Sequence, residues 1–143
     1  MVLGSIVFLM LLYLLIIEDT IEVSYGGESI YVGEKTFEIG WIHSVEKEEW
    51  FETYEIAGDE LLLKETRFKT FGAGVPSNGE IIPSEDGFVH MKVNQSMKEL
   101  RLTVSQNVKT TLYLANEIIP LYEVVDDYET VTIQIKKRPN WSF

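Results

Sequence analysis

Four ionisable residues in the middle of the chain, His43, Glu52, Glu65 and Arg67, stand near Trp50 in segments that otherwise alternate apolar with polar residues. Their types suit a small polar site. A guanidinium is a planar fork that matches a carboxylate or phosphate. A histidine and a carboxylate serve as donor and acceptor, and an indole supplies an apolar wall. Charged groups turned towards a core are costly to desolvate unless they pair with one another or with a ligand. Two readings follow: an ion-paired plug at the open end of a β domain, or a ligand pocket lined by His43, Trp50, Glu52, Glu65 and Arg67. His43, Glu52 and Glu65 are also of types that ligate divalent ions. Their spacing fits no recognised metal motif, so the metal is unassigned. A nucleophile pair of His43 with Ser44 is poorer, because neighbours on a strand point to opposite faces. No catalytic residue and no cofactor are assigned.

The run Phe71-Gly72-Ala73-Gly74-Val75-Pro76 reads as a loop at the same end of the domain. Glycines let a backbone approach a neighbour closely or adopt positive φ. A phosphate cradle is not indicated, since no helix follows to present its N-terminus. Gly72, Ala73 and Gly74 therefore either line the pocket with backbone amides or make a tight turn into Pro76. Glu46, Glu48 and Glu49 form an acidic loop that either meets a basic partner or keeps the domain soluble. From Glu18 to Glu60 there are thirteen acids against two lysines. His90 falls opposite Val89, Met91 and Val93, which places it on the surface.

These residues need strands to position them, and from residue 20 onward the period is two. Phe37, Ile39, Trp41 and His43 share one face; Val89, Met91 and Val93 share another, as do Leu100, Leu102 and Val104, and Val131, Ile133 and Ile135. Turn signals such as Gly26-Gly27, Gly58-Asp59, Asn78-Gly79 and Asp86-Gly87 separate the runs. About nine short strands result, which indicates an all-β, antiparallel sandwich or barrel-like domain. With Glu46–Glu49 as a four-residue loop, the first hairpin sets Val45 opposite Trp50, His43 opposite Glu52, Trp41 opposite Tyr54 and Ile39 opposite Ile56. A type II′ turn at Gly58-Asp59 then sets Ile56 opposite Leu61, Tyr54 opposite Leu63, Glu52 opposite Glu65 and Trp50 opposite Arg67. Both registers gather the four ionisable groups on one face.

Composition narrows the function. The chain has 143 residues and a formal net charge of −11. Nucleic acid is disfavoured, because phosphate neutralisation requires clustered Lys and Arg. The absence of cysteine excludes disulfides, thiolate metal sites and a cysteine nucleophile. Residues 1–17 carry no charge and are dominated by Leu, Ile, Val, Phe and Met. As a helix they would reach roughly 25 Å, close to the roughly 30 Å hydrocarbon core of a bilayer. No small-x-small cleavage pattern follows, and no Lys or Arg precedes the run. The expected organisation is an N-terminal hydrophobic helix over 1–19, acting as a membrane anchor or uncleaved signal. A β domain over 20–143 follows on the extracytoplasmic side of the cell membrane.

His43-Ser44-Val45-Glu46, then Trp50, Glu52 and Tyr54, then Arg67-Phe68 and Phe71-Gly72-Ala73-Gly74, resemble the domain-of-unknown-function 1850 (DUF1850) family. The specific part of the resemblance lies within residues 41–76. Members are small, often begin with a hydrophobic segment, and are typically encoded beside tripartite ATP-independent (TRAP) transporters of the TAXI type. The resemblance implies an accessory or ligand-handling role near a solute-binding protein and its permease, and no established reaction. A small membrane-anchored metal-dependent enzyme and a purely structural envelope domain are the alternatives.

Overall fold

The computed structural model describes residues 4, 6–10 and 17–139. Eleven strands alternate between two antiparallel sheets. The smaller sheet holds β1 (Ile17–Tyr25), β2 (Glu28–Val32), β8 (Glu99–Thr103) and β11 (Thr130–Pro139), in the order β2-β1-β11-β8. The larger holds β3 (Thr36–Ile42), β4 (Glu49–Ala57), β5 (Glu60–Phe68), β6 (Glu80–Ile82), β7 (Val89–Met97), β9 (Thr111–Tyr113) and β10 (Ile118–Ile119). Its order is β10-β9-β3-β4-β5-β7-β6. A helical turn, Leu121–Val124, precedes the crossing back to β11. The architecture is the expected all-β sandwich, with eleven strands among the described residues in place of about nine.

Much of the hydrophobic run, with its anchor or signal assignment, lies outside the described residues. Among the described residues no helix is long and apolar enough to cross a membrane. β1 begins at Ile17, so residues 17–19 of the segment assigned to the anchor are strand, paired with Lys137–Pro139.

The alternation read from the sequence builds the core. Ile21 and Val23 of β1 face Ile135 and Ile133 of β11. Their branched side chains pack against Phe37, Ile39, Tyr54, Leu61 and Leu63 of the larger sheet. Pairs of this kind stabilise a pleated surface by filling it on one side. A second cluster, Trp50, Phe68 and Met91 with Trp41, Val75 and Val89 against it, closes one end.

Both hairpin registers are corrected, each for a different reason. In the first, Trp41 faces Trp50, Ile39 faces Glu52 and Phe37 faces Tyr54. Strand β3 ends at Ile42, and residues 43–48 make a longer loop than the four residues expected. The loop closes on itself: His43 N–H donates to the Glu48 carbonyl at 2.8 Å and Lys47 N–H to the His43 carbonyl at 2.9 Å. Lys47 adopts φ 59. The slip is an even number of residues, so each side chain keeps its face while changing its partner. His43 is thus not a cross-strand neighbour of Glu52, and Trp41 does not face Tyr54; Phe37 stacks on Tyr54 at 5.1 Å instead.

The second hairpin follows the expected register from the turn to Tyr54–Leu63. Gly58 has φ 67, as the first central position of a type II′ turn requires. Beyond Leu63 a β-bulge at Lys64 moves the pairing by one: Thr53 faces Glu65, Glu52 faces Thr66, Phe51 faces Arg67 and Trp50 faces Phe68. A shift of one reverses every face. The neighbouring strand compensates, with Leu63 opposite Gln95 but Glu65 opposite Lys92, and with Asn94 at φ 55. The bulge lets Leu61, Leu63, Thr66 and Phe68 all point inward, each almost wholly buried. It also turns Glu65 and Arg67 outward, where their charges need not be desolvated.

Candidate functional site

The sheets part at the end capped by the aromatic cluster, leaving a cavity of about 380 Å³ between them. The larger sheet supplies Ile39, Trp41, Trp50 and Glu52; the loop after β3 supplies His43 and Ser44. Ala73 and Gly74 close it from the glycine loop. The smaller sheet adds Arg101, Leu102 and Thr103 of β8, and the following loop adds Val108 and Thr110.

The wall is aromatic because the inward residues of β4 and β5 nearest this end, Trp50 and Phe68, pair with each other across the bulged ladder. Trp50 stacks on Phe68 at 4.8 Å, on Trp41 at 5.8 Å and on the His43 ring at 5.4 Å. Phe71 meets Phe68 edge-on at 5.3 Å. Rings in such offset or edge contacts are fixed more firmly than their area alone would fix them. Trp50 is only 5% exposed, yet its Nε1 has no hydrogen-bond partner among the described residues. An indole N–H can only donate, and a buried donor left without an acceptor is unfavourable.

Glu52 is half-buried on the cavity wall and accepts a hydrogen bond from the Tyr54 hydroxyl, the next inward residue along the strand. Burial raises its carboxyl pKa above the ordinary value, against the lowering effect of that hydrogen bond. Burial and the neighbouring Glu52 carboxylate push the Tyr54 hydroxyl up in turn, so the phenol stays protonated and donating. The neutral acid of Glu52 is therefore more accessible than that of a surface glutamate.

The glycine loop is held by the acidic loop. Ala73 N–H donates to Glu46 Oε1 at 3.2 Å, and Glu46 Oε2 contacts His43 Nδ1. Val45 and Glu46 N–H groups point at the same Nδ1, at 3.3 and 3.4 Å. A Cβ on Gly72 would fall 1.9 Å from Glu46 Oε1, so the carboxylate occupies the space that a side chain there would need. Glu48 accepts from the Thr70 hydroxyl at 2.7 Å and Glu49 pairs with Lys69 at 3.0 Å. Each of the three acids read as partner-facing thus has a partner within the segment 69–73.

Of the residues singled out in the sequence, the structure brings His43, Trp50, Glu52, Ala73 and Gly74 to the cavity, with Gly72 one residue behind its lining. Glu65 and Arg67 lie on the opposite face of the sheet. There Arg67 Nη2 donates to Glu38 Oε1 at 2.7 Å and its guanidinium lies over the Phe51 ring at 4.3 Å. His90 Nδ1 meets Glu65 Oε1 at 2.5 Å and Nε2 meets Asp86 Oδ2 at 2.9 Å. A metal set of His43, Glu52 and Glu65 is accordingly not assembled, and among the described residues no group of three His, Asp or Glu converges on one point. Arg101 borders the cavity from β8, with its side chain on the outward face of the smaller sheet. It is exposed, and its Nε is paired with Glu99 Oε1 at 2.8 Å. Its only sequence signal is an outward position between Leu100 and Leu102, too common to single out.

A two-sheet antiparallel β domain with an aromatic-walled cavity between the sheets defines the class. The chain belongs to the family described as Domain of unknown function (DUF1850), whose model matches residues 37–121, more than half of its length. All the cavity-lining residues fall inside that span. No curated protein and no solved structure matches the chain.

Proposed function

We propose that the chain is a membrane-tethered, extracytoplasmic accessory protein that handles a small ligand for a TAXI-type TRAP transporter. The observation that carries the ligand-handling part is the cavity of about 380 Å³ between the sheets, with Trp41, Trp50 and the half-buried Glu52 among its lining residues. Small-molecule sites span about 300–1,000 Å³, are mostly apolar, and place a few polar groups to orient what they hold. Trp41, Trp50, Ile39 and Leu102 supply the apolar lining, and Glu52 and His43 the polar groups. The transporter association rests on the family resemblance, and the tether on the charge-free run over residues 1–17.

A filled cavity provides the test. Leu102 lies on the inward face of edge strand β8, is partly buried and lines the cavity, so Leu102→Trp enlarges a side chain directed between the sheets. In cells that carry the adjacent transporter, this variant should accumulate normally in the membrane fraction and reduce transport-linked growth. Undiminished growth with the cavity filled would remove the ligand-handling role. Full-length chain recovered in the aqueous fraction would remove the tether, and failure to co-purify with the transporter would remove the association.

A further inference from the structure

The three glutamates of β4 have different surroundings. Glu49 pairs with Lys69 at 3.0 Å and Glu55 with Lys64 at 2.9 Å. Glu52, between Trp50 and Tyr54 on the inward face, has no cationic partner among the described residues. Ile39 opposite it on β3 and Thr66 opposite it on β5 carry no charge. The smaller sheet turns Leu102 inward and Arg101 outward. The bulge at Lys64 holds Arg67 on the other face of the larger sheet, paired with Glu38. His43 stands beyond the Trp41–Trp50 pair, with its Nδ1 against Glu46. The cavity wall around Glu52 therefore carries a carboxyl and no counter-charge.

The same wall is aromatic. Trp41 and Trp50 stack at 5.8 Å one pair along from Glu52 and Ile39. Trp50 is almost wholly buried, whereas Trp41 is half-buried and lines the cavity. A cation is attracted to an indole face, and a carboxylate beside that face adds a charge-assisted acceptor. Glu52 Oε2 receives the Tyr54 hydroxyl, and Oε1 has no hydrogen-bond partner among the described residues. An anion would find no matching donor here, since Trp50 Nε1 is closed off and Arg101 faces outward. A bare metal ion would find one carboxylate among apolar neighbours, and no group of three His, Asp or Glu converges among the described residues.

Resting on the ligand-handling reading above, we propose that the cavity takes a small organic ammonium compound, its N–H groups donating to Glu52 Oε1 and its apolar body against Trp41, Ile39 and Leu102. The ligand supplies the counter-charge that the chain withholds. Burial raises the Glu52 pKa, and an ammonium in contact acts against that rise by favouring the carboxylate. The formal net charge of −11 draws cations towards the domain as a whole.

Calorimetric titration of the full chain in nonionic detergent micelles at neutral pH, with two matched triads, tests this. One triad is benzylammonium, benzyl alcohol and benzoate; the other is hexylammonium, hexanol and hexanoate. In at least one triad the ammonium compound should bind about tenfold or more tightly than its alcohol and its carboxylate, the difference expected of a charge-assisted contact. Glu52→Gln, which keeps the shape of the side chain and deletes its charge, should bring the ammonium compound to the affinity of the alcohol and leave the alcohol unchanged. An alcohol or carboxylate bound as tightly as the ammonium compound in the parent would overturn the proposal without recourse to any variant. An ammonium preference that survives in folded Glu52→Gln would overturn the role of Glu52. If none of the six compounds binds but Leu102→Trp still impairs growth, the ligand class is wrong and the cavity role stands. If the ammonium compound binds as expected and Leu102→Trp grows normally, the site stands and its service to the transporter falls. If none binds and Leu102→Trp is silent, both fall.

Discussion

The two faces of the larger sheet carry similar residues and treat them in opposite ways. On the outer face, Arg67 is paired with Glu38 and covered by Phe51, and Thr53 donates to Glu38 at 3.3 Å. His90 spans Glu65 and Asp86, and Asp86 also accepts from Ser84 and from the Phe88 N–H. The charges named there are matched within the chain. On the inner face, at the cavity end, a buried indole N–H has no partner and a carboxyl is shifted towards its neutral form. Charge content alone does not distinguish a site from a structural array; unmatched hydrogen-bonding capacity does. The outer array is complete as it stands, and the inner one leaves an indole N–H unmatched.

Truncating the centre of the inner wall should break the comparison most strongly. Trp50→Ala removes the ring on which His43, Trp41 and Phe68 all stack. A large buried aromatic lost to alanine costs about 3–5 kcal/mol, so chemical denaturation should show a loss of that order. A loss below about 1 kcal/mol would mean that the aromatic cluster contributes little to closing this end of the sandwich.

A smaller effect is expected from the outer array. Arg67→Ala deletes one half-buried ion pair and two cation–π contacts, to Phe51 and Phe88, together about 1–2 kcal/mol. Its melting temperature should drop slightly while small-molecule titrations of the cavity remain as in the parent. Altered binding in this variant would show that the two faces are coupled through the sheet.

Gly72→Ala should hardly move stability, because the Glu46 carboxylate that its Cβ would meet is the far end of a flexible side chain. The displaced carboxylate would lose Ala73 N–H and leave His43 Nδ1. Amide exchange at residues 72–74 should therefore quicken, with the remainder of the domain unaffected. Unchanged exchange there would mean that Glu46 does not hold the loop.

The mildest separation is by pH. Glu52 has a raised pKa, so its protonated form is favoured by folding. Stability is highest below the ordinary carboxyl value of about 4.5 and falls as the pH rises through the raised folded value. Glu52→Gln should be more stable than the parent at neutral pH and lack this fall. On the outer face the Asp86 hydrogen bond, opposed by partial burial and helped by Glu65, raises the His90 pKa. Its contribution is present below about 6.5 and is lost as the pH rises through the raised value. His90→Asn should flatten that later step alone. Melting curves across pH that show a single step, removed by either substitution, would contradict two independent sites.

How much of this was legible in the sequence depended on the range of the interaction. The inward positions of β3, β4 and the first half of β5 follow from period-two alternation, and the Gly58 turn set the register next to it. The composition of the cavity wall was partly visible too, since His43, Trp50, Glu52 and the Gly72–Gly74 loop belong to one stretch. The length of the 43–48 loop was not visible, because nothing in Glu46–Glu49 separates a four-residue connection from a longer one stabilised by Lys47 at positive φ.

By itself, then, the sequence determined the class of fold, the face of most side chains near the turns, and membership of the DUF1850 family. Local alternation and turn chemistry encode these, and both act over a few residues. Tertiary structure alone decided which charges reach the cavity. A bulge at Lys64 exchanges the two faces of a strand for a single extra residue, and it is selected by the fit of Thr66 and Phe68 against the opposing sheet rather than by any local preference. The arginine that borders the cavity comes from β8, in the other sheet and more than thirty residues beyond Arg67. Only the packing of one sheet on the other brings it there, and no spacing along the chain records that.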